Sequence, residues 1–143
     1  MDQSELADLT TTALARAVDG DDDGAAMTVC EIGIRSSPDQ FDVYKACCGF
    51  AEAGRQALVK LYGGRVPDPA RGETWAMLPL GAGEADAPDT FSMRFLVAFA
   101  NGDQPTMLAL WRAALLADND QYVASVASLL RDVATLVRKA NEL

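Results

Sequence analysis

Apolar positions recur along this chain at spacings of three and four, the period of helices buried on one face. Leu6, Leu9, Ala13, Leu14, Ala17 and Val18 form the first such stripe, with Ser4 placed to cap its start and Gly20 to end it. Asp22 or Asp23 caps a second helix that runs to about residue 35 and carries Met27, Cys30 and Ile34 on its inner side. Ser36-Ser37-Pro38-Asp39 breaks the period. A third helix follows from about Pro38 to Tyr62, because proline is tolerated in a first turn, and Gly63-Gly64 stops it. The fourth and fifth helices are expected at about residues 89 to 100 and 105 to 117. Between Phe91 and Ala117 the charges are Arg94, Asp103 and Arg112 alone, so both helices are apolar nearly all round. They are either central or half of a homodimer interface. The sixth, at about residues 119 to 140, shows a heptad seam of Tyr122, Val126, Leu129, Val133, Leu136 and Ala140. Val123, Leu130 and Val137 widen that seam as in a bundle helix with two neighbours.

Residues 63 to 88 hold five of the eleven glycines and four of the six prolines, and the pattern predicts no helix there. The middle of this stretch, Thr74-Trp75-Ala76-Met77-Leu78-Pro79-Leu80, is too apolar to hang in water and is expected to lie across the helices. On either side the chain looks similar. Gly20-Asp21 corresponds to Gly102-Asp103 at an offset of 82, and Asp39-Gln40-Phe41 to Asp120-Gln121-Tyr122 at an offset of 81. The expected fold is therefore all-α: one domain, a six-helix bundle built as two similar three-helix halves, 1–62 and 89–143, joined by the Gly/Pro-rich segment 63–88.

The turn and second helix of each half resemble the tetratricopeptide repeat. The resemblance rests on Gly102-Asp103, Ala114-Leu115 and Asp118-Asn119 in the second half, and on Gly20-Asp21, Ala25 and Pro38 in the first. Tyr44, Cys47 and Cys48 follow as the aromatic, aliphatic and small positions of a next hairpin. Phe95 stands where that family has a small residue. What the resemblance implies is a helical-hairpin scaffold that binds another protein.

Composition narrows the chemistry. Half of the 143 residues are apolar, enough for a sizeable core without staples. The chain has no histidine, which removes Ser-His and Cys-His nucleophile systems and the usual zinc-activating imidazoles. A net charge of -9 opposes direct contact with nucleic-acid phosphates. No uncharged apolar run suits a membrane span, and the acidic start, Met1-Asp2-Gln3-Ser4-Glu5, is unlike a secretory signal. Three cysteines, two of them adjacent, make a poor disulfide framework, so a cytoplasmic location with reduced thiols is expected.

The charge is also uneven. Residues 1 to 54 hold eleven acids and three bases, whereas residues 55 to 143 hold ten and nine. Asp19, Asp21, Asp23 and Gly24 match the first half of a calcium loop, but Cys30 falls where its bidentate Glu belongs, so no metal ligand is assigned. Cys47 and Cys48 point about 100 degrees apart on a helix and do not share a ligand. Gly81-Ala82-Gly83 lacks the lysine and the strand–helix setting of a phosphate loop, and no cofactor is expected. The reading is a non-catalytic adaptor with a protein partner, whose candidate contacts are Trp75, Met77 and Leu78 on the joining segment. Two alternatives stand beside it: an acidic regulator that occupies a nucleic-acid-binding partner through Asp21, Asp22 and Asp23, and a divalent-metal-binding helical protein using the same cluster.

Overall fold

The computed structural model describes residues 1–76 and 87–143, and Met77 and Leu78 lie outside the described residues. It is all-helical. The helices are α1 (Gln3–Val18), α2 (Asp22–Arg35), α3 (Phe41–Tyr62), α4 (Ala87–Ala100), α5 (Gln104–Leu116) and α6 (Asn119–Asn141). Among the described residues none is long and apolar enough to cross a membrane.

The two longest helices, α3 and α6, lie along one another, and the α1–α2 and α4–α5 hairpins close over them. The reason is in the α6 seam. Tyr122, Val126, Leu129, Val133 and Ala140 are buried as expected, and so are Ser125, Ser128, Leu130 and Ala134, which widens the apolar face enough to touch every other helix. Phe50 from α3 and Phe95 from α4 are fully buried at the centre. Arg138, at the end of α6, donates to the Ala17 and Val18 carbonyls at 2.9 and 3.4 Å, closing the C-terminus of α1.

Helix starts differ from expectation in instructive ways. Asp2, not Ser4, caps α1: its carboxylate accepts from the Glu5 N–H at 2.8 Å while Glu5 reaches back to the Asp2 N–H, a reciprocal box. Asp21, rather than Asp22 or Asp23, caps α2 by accepting from the Gly24 N–H at 2.9 Å. The third helix begins at Phe41 rather than Pro38, because Gln40 sits in the left-handed region at φ 59° and breaks the helical path. The stretch expected to be free of helix contains two short 3-10 turns, Gly63–Arg65 and Pro69–Arg71, and α4 starts inside it at Ala87.

The α1–α2 and α4–α5 turns share one conformation. Gly20 and Gly102 have φ of 84° and 71°. Asp21 and Asp103 follow at φ/ψ of -84°/74° and -88°/76°, each capping the next helix. The packing within the two halves differs: α4 lies along α6, whereas α1 meets α3 only briefly. Asp21→Ala and Asp103→Ala should each lower stability by about 1 kcal/mol, and by about twice that together, because the two caps share no partner. Urea denaturation of the single and double variants checks this.

Candidate docking face

The orientation of α2 decides which of its side chains meet solvent. Ala25, Thr28, Val29 and Ile32 face the core. Three polar latches hold this rotation. Arg16 of α1 donates to the Thr28 hydroxyl at 2.7 Å and the Gly24 carbonyl at 3.3 Å, and Thr28 also donates to Gly24, which is how a hydroxyl comes to be buried there. Arg35 bridges Glu5 of α1 at 2.9 Å. The Gln40 side-chain amide donates to the Gly33 carbonyl at 3.0 Å and the Ser37 carbonyl at 3.3 Å, tying the end of α2 to the start of α3.

Met27, Cys30 and Ile34, expected on the inner side, therefore face outward. Met27 is 72% and Ile34 83% exposed, and Cys30 between them is exposed too. Their spacing of three and four places all three on one stripe, flanked by Asp23 one turn earlier and Glu31 beside it. The physical reason for the correction is the hydrogen bond from Arg16 to Thr28, which turns the Thr28 side of the helix toward α1. Helix α2 carries two neighbouring stripes of helical period, and the one with Ala25, Thr28, Val29 and Ile32 is the one buried.

The charge that α1, α2 and the start of α3 bring to this stripe is mainly acidic, although Arg131 of α6 lines a hollow together with Asp22 and Asp23. Each of the three bases in residues 1 to 54 is occupied within the fold: Arg16 and Arg35 as above, and Lys45 over the Phe41 ring at 5.5 Å. Asp8, Asp19, Asp22 and Asp23 are exposed and make no ion pair with the described residues. Of the sequence candidates, Asp21 is thus a helix cap, while Asp22 and Asp23 present free carboxylates. Among the described residues no three carboxylates or thiols converge as a metal site would require.

Trp75 serves the fold. Its ring meets Tyr62 of α3 edge-on at 5.4 Å, and its N–H and C=O pair with the Asn101 side chain at 2.7 and 3.0 Å. It braces the end of α3 against the α4–α5 turn, while residues 77–80 of the segment expected to lie across the helices are outside the described residues.

Elsewhere, two of the three thiols are held protonated by their surroundings. Burial pushes the Cys47 thiol well above its usual range, and Cys48 upward less, with the Tyr44 hydroxyl opposing the shift. Sequence reasoning missed one polar clasp between α4 and α6. Ser92 donates to Asp132 at 2.7 Å, Ser128 donates to Asp89 at 2.8 Å, and Arg131 pairs with Asp89 at 3.0 Å. The signal was present as Asp89/Ser92 and Ser128/Asp132, polar pairs one turn apart on otherwise apolar faces. A groove of about 370 Å³ between α4, α5 and α6 is lined by Phe91, Leu110 and four alanines together with Arg94 and three uncharged polar residues.

Tyr122 adds a pH signature. Burial pushes its hydroxyl up to about 12, with the Trp111 indole N–H only partly opposing, and neither polar atom has a hydrogen bond of ordinary geometry. The folded state thus holds the neutral phenol, and its contribution is fully present below pH 10 and lost as pH rises toward 12. Melting temperature against pH should show Tyr122→Phe falling less steeply than the parent over that window. Identical alkaline slopes would refute this.

In comparisons with known proteins, no family model, no curated protein and no solved structure matches the chain. The tetratricopeptide likeness accordingly stays a likeness of hairpin pattern.

Proposed function

We propose that the protein is a non-catalytic helical adaptor that binds another protein through the outward face of α2. The observation that supports this reading is the stripe of Met27, Cys30 and Ile34, held in solvent by the Arg16, Arg35 and Gln40 latches. Large apolar side chains aligned on one exposed helix face lower their free energy when covered, and three latches prevent the helix from rolling to hide them. Duplication of the hairpin belongs to the same proposal and is supported by the matching Gly20-Asp21 and Gly102-Asp103 turns. A photo-activated crosslinker at position 34 tests the reading in the cells that make the protein, with position 116 as an equally exposed apolar control. The expected result is a discrete adduct with a different protein from position 34 and none from 116, identified by mass spectrometry. Monomer alone from both positions would end it.

The second reading is an acidic regulator of a nucleic-acid-binding partner. The exposed, unpaired Asp22 and Asp23 favour it. It requires affinity that collapses with added salt and with Asp21→Asn/Asp22→Asn/Asp23→Asn, where asparagine keeps the Asp21 cap. The adaptor reading requires affinity that survives salt and falls with Met27→Gln/Ile34→Gln.

A further inference from the structure

The charge and shape of the α2 face narrow its occupant, and we infer that it takes a basic amphipathic helix from the partner. This rests on the adaptor reading and adds the chemistry of the ligand. The stripe from Met27 to Ile34 spans two helical turns, about 10 Å, the length over which one helix lays an apolar seam on another. Its rim is acidic: Asp23 extends the stripe toward the start of α2, Asp22 precedes it, and Glu31 lies alongside. Arg35, the one cation on the helix, is already shared between Glu5 at 2.9 Å and Glu31 at 3.5 Å. A second copy of this chain would bring the same excess of eight negative charges from its first 54 residues against this one, which opposes pairing through α2. An apolar seam bordered by Lys or Arg complements both features. The uneven rim also sets a direction, with the basic end of the partner helix over Asp22 and Asp23 and its apolar end over Ile34.

The probe is a synthetic Leu/Lys amphipathic peptide of about five helical turns, titrated into the full chain at physiological salt, with a Leu/Gln peptide of the same pattern beside it. The NMR shifts it induces should centre on Met27, Cys30 and Ile34. Met27→Gln/Ile34→Gln should weaken it about tenfold, Asp22→Asn/Asp23→Asn about threefold, and Leu116→Gln not at all. A Leu/Gln peptide that binds α2 as tightly as Leu/Lys would overturn the basic character of the partner while leaving the adaptor reading intact. Leu/Lys binding indifferent to Met27→Gln/Ile34→Gln would overturn the site. So would light scattering that shows a dimer of the parent chain dissolved by the same pair of substitutions.

Discussion

Phe95→Ala is expected to lower the stability of the protein by about 4 kcal/mol, the upper part of the range for truncating a buried aromatic. The ring is fully buried and lies 5.4 Å from Phe91 within α4 and 6.2 Å, edge-on, from Tyr44 of α3. Tyr44 in turn meets Trp111 of α5 at 5.4 Å, so one side chain joins three helices. The surroundings are themselves large and ring-shaped, and they cannot collapse into the space left by the missing ring. Denaturant unfolding should show the midpoint falling with little change in slope. A loss under about 1 kcal/mol would mean that α4 is not seated on α3 as described.

Gly54→Val is the second large effect, about 3 kcal/mol, and it probes the central crossing from the opposite direction, by overfilling it. Gly54 sits on α3 where α4 and α6 both approach, and a Cβ there would stand 3.0 Å from Leu96 Cδ1 and 3.0 Å from Val133 Cγ2. Alanine asks those flexible ends to yield by a few tenths of an ångström while gaining about 1 kcal/mol of helix propensity. Gly54→Ala should therefore stay within about 1 kcal/mol of the parent. Valine adds two methyl groups that have nowhere to go. Equal effects of alanine and valine would show that the three helices do not converge at this residue.

The elements were largely legible and their facing was not. All six helices follow from the three-and-four spacing, and the Gly20 and Gly102 turns from their glycines, although the caps that follow them, Asp21 and Asp103, do not. The start of α3 was misread because a left-handed Gln40 is a tertiary matter: its side chain is engaged with the Gly33 carbonyl, a partner that no local rule places there. The inner face of α2 was misread because periodicity identifies stripes without ranking them, and the choice lies with Arg16 and Thr28 across the hairpin. The same error hid the candidate site, since Met27, Cys30 and Ile34 had been assigned to the core. The packing of Trp75 on Tyr62 suits its apolar ring, yet its hydrogen-bonding partner, Asn101, comes from the other side of the joining stretch and no sequence rule names it. The -8 of the first 54 residues was plain from counting, but only the structure shows that Asp22, Asp23 and Glu31 of that excess border an exposed apolar stripe, while Arg16, Arg35 and Lys45 each have a partner within the fold.

The central claim is that α2 keeps the Met27, Cys30 and Ile34 stripe out of the core, and the unfolding free energy of Met27→Gln/Ile34→Gln tests it most directly. Side chains 72% and 83% exposed leave little buried area to lose, so the pair should unfold within about 1 kcal/mol of the parent. A loss of about 4 kcal/mol or more, the cost of two truncations inside a packed core, would place the stripe inside and contradict the account.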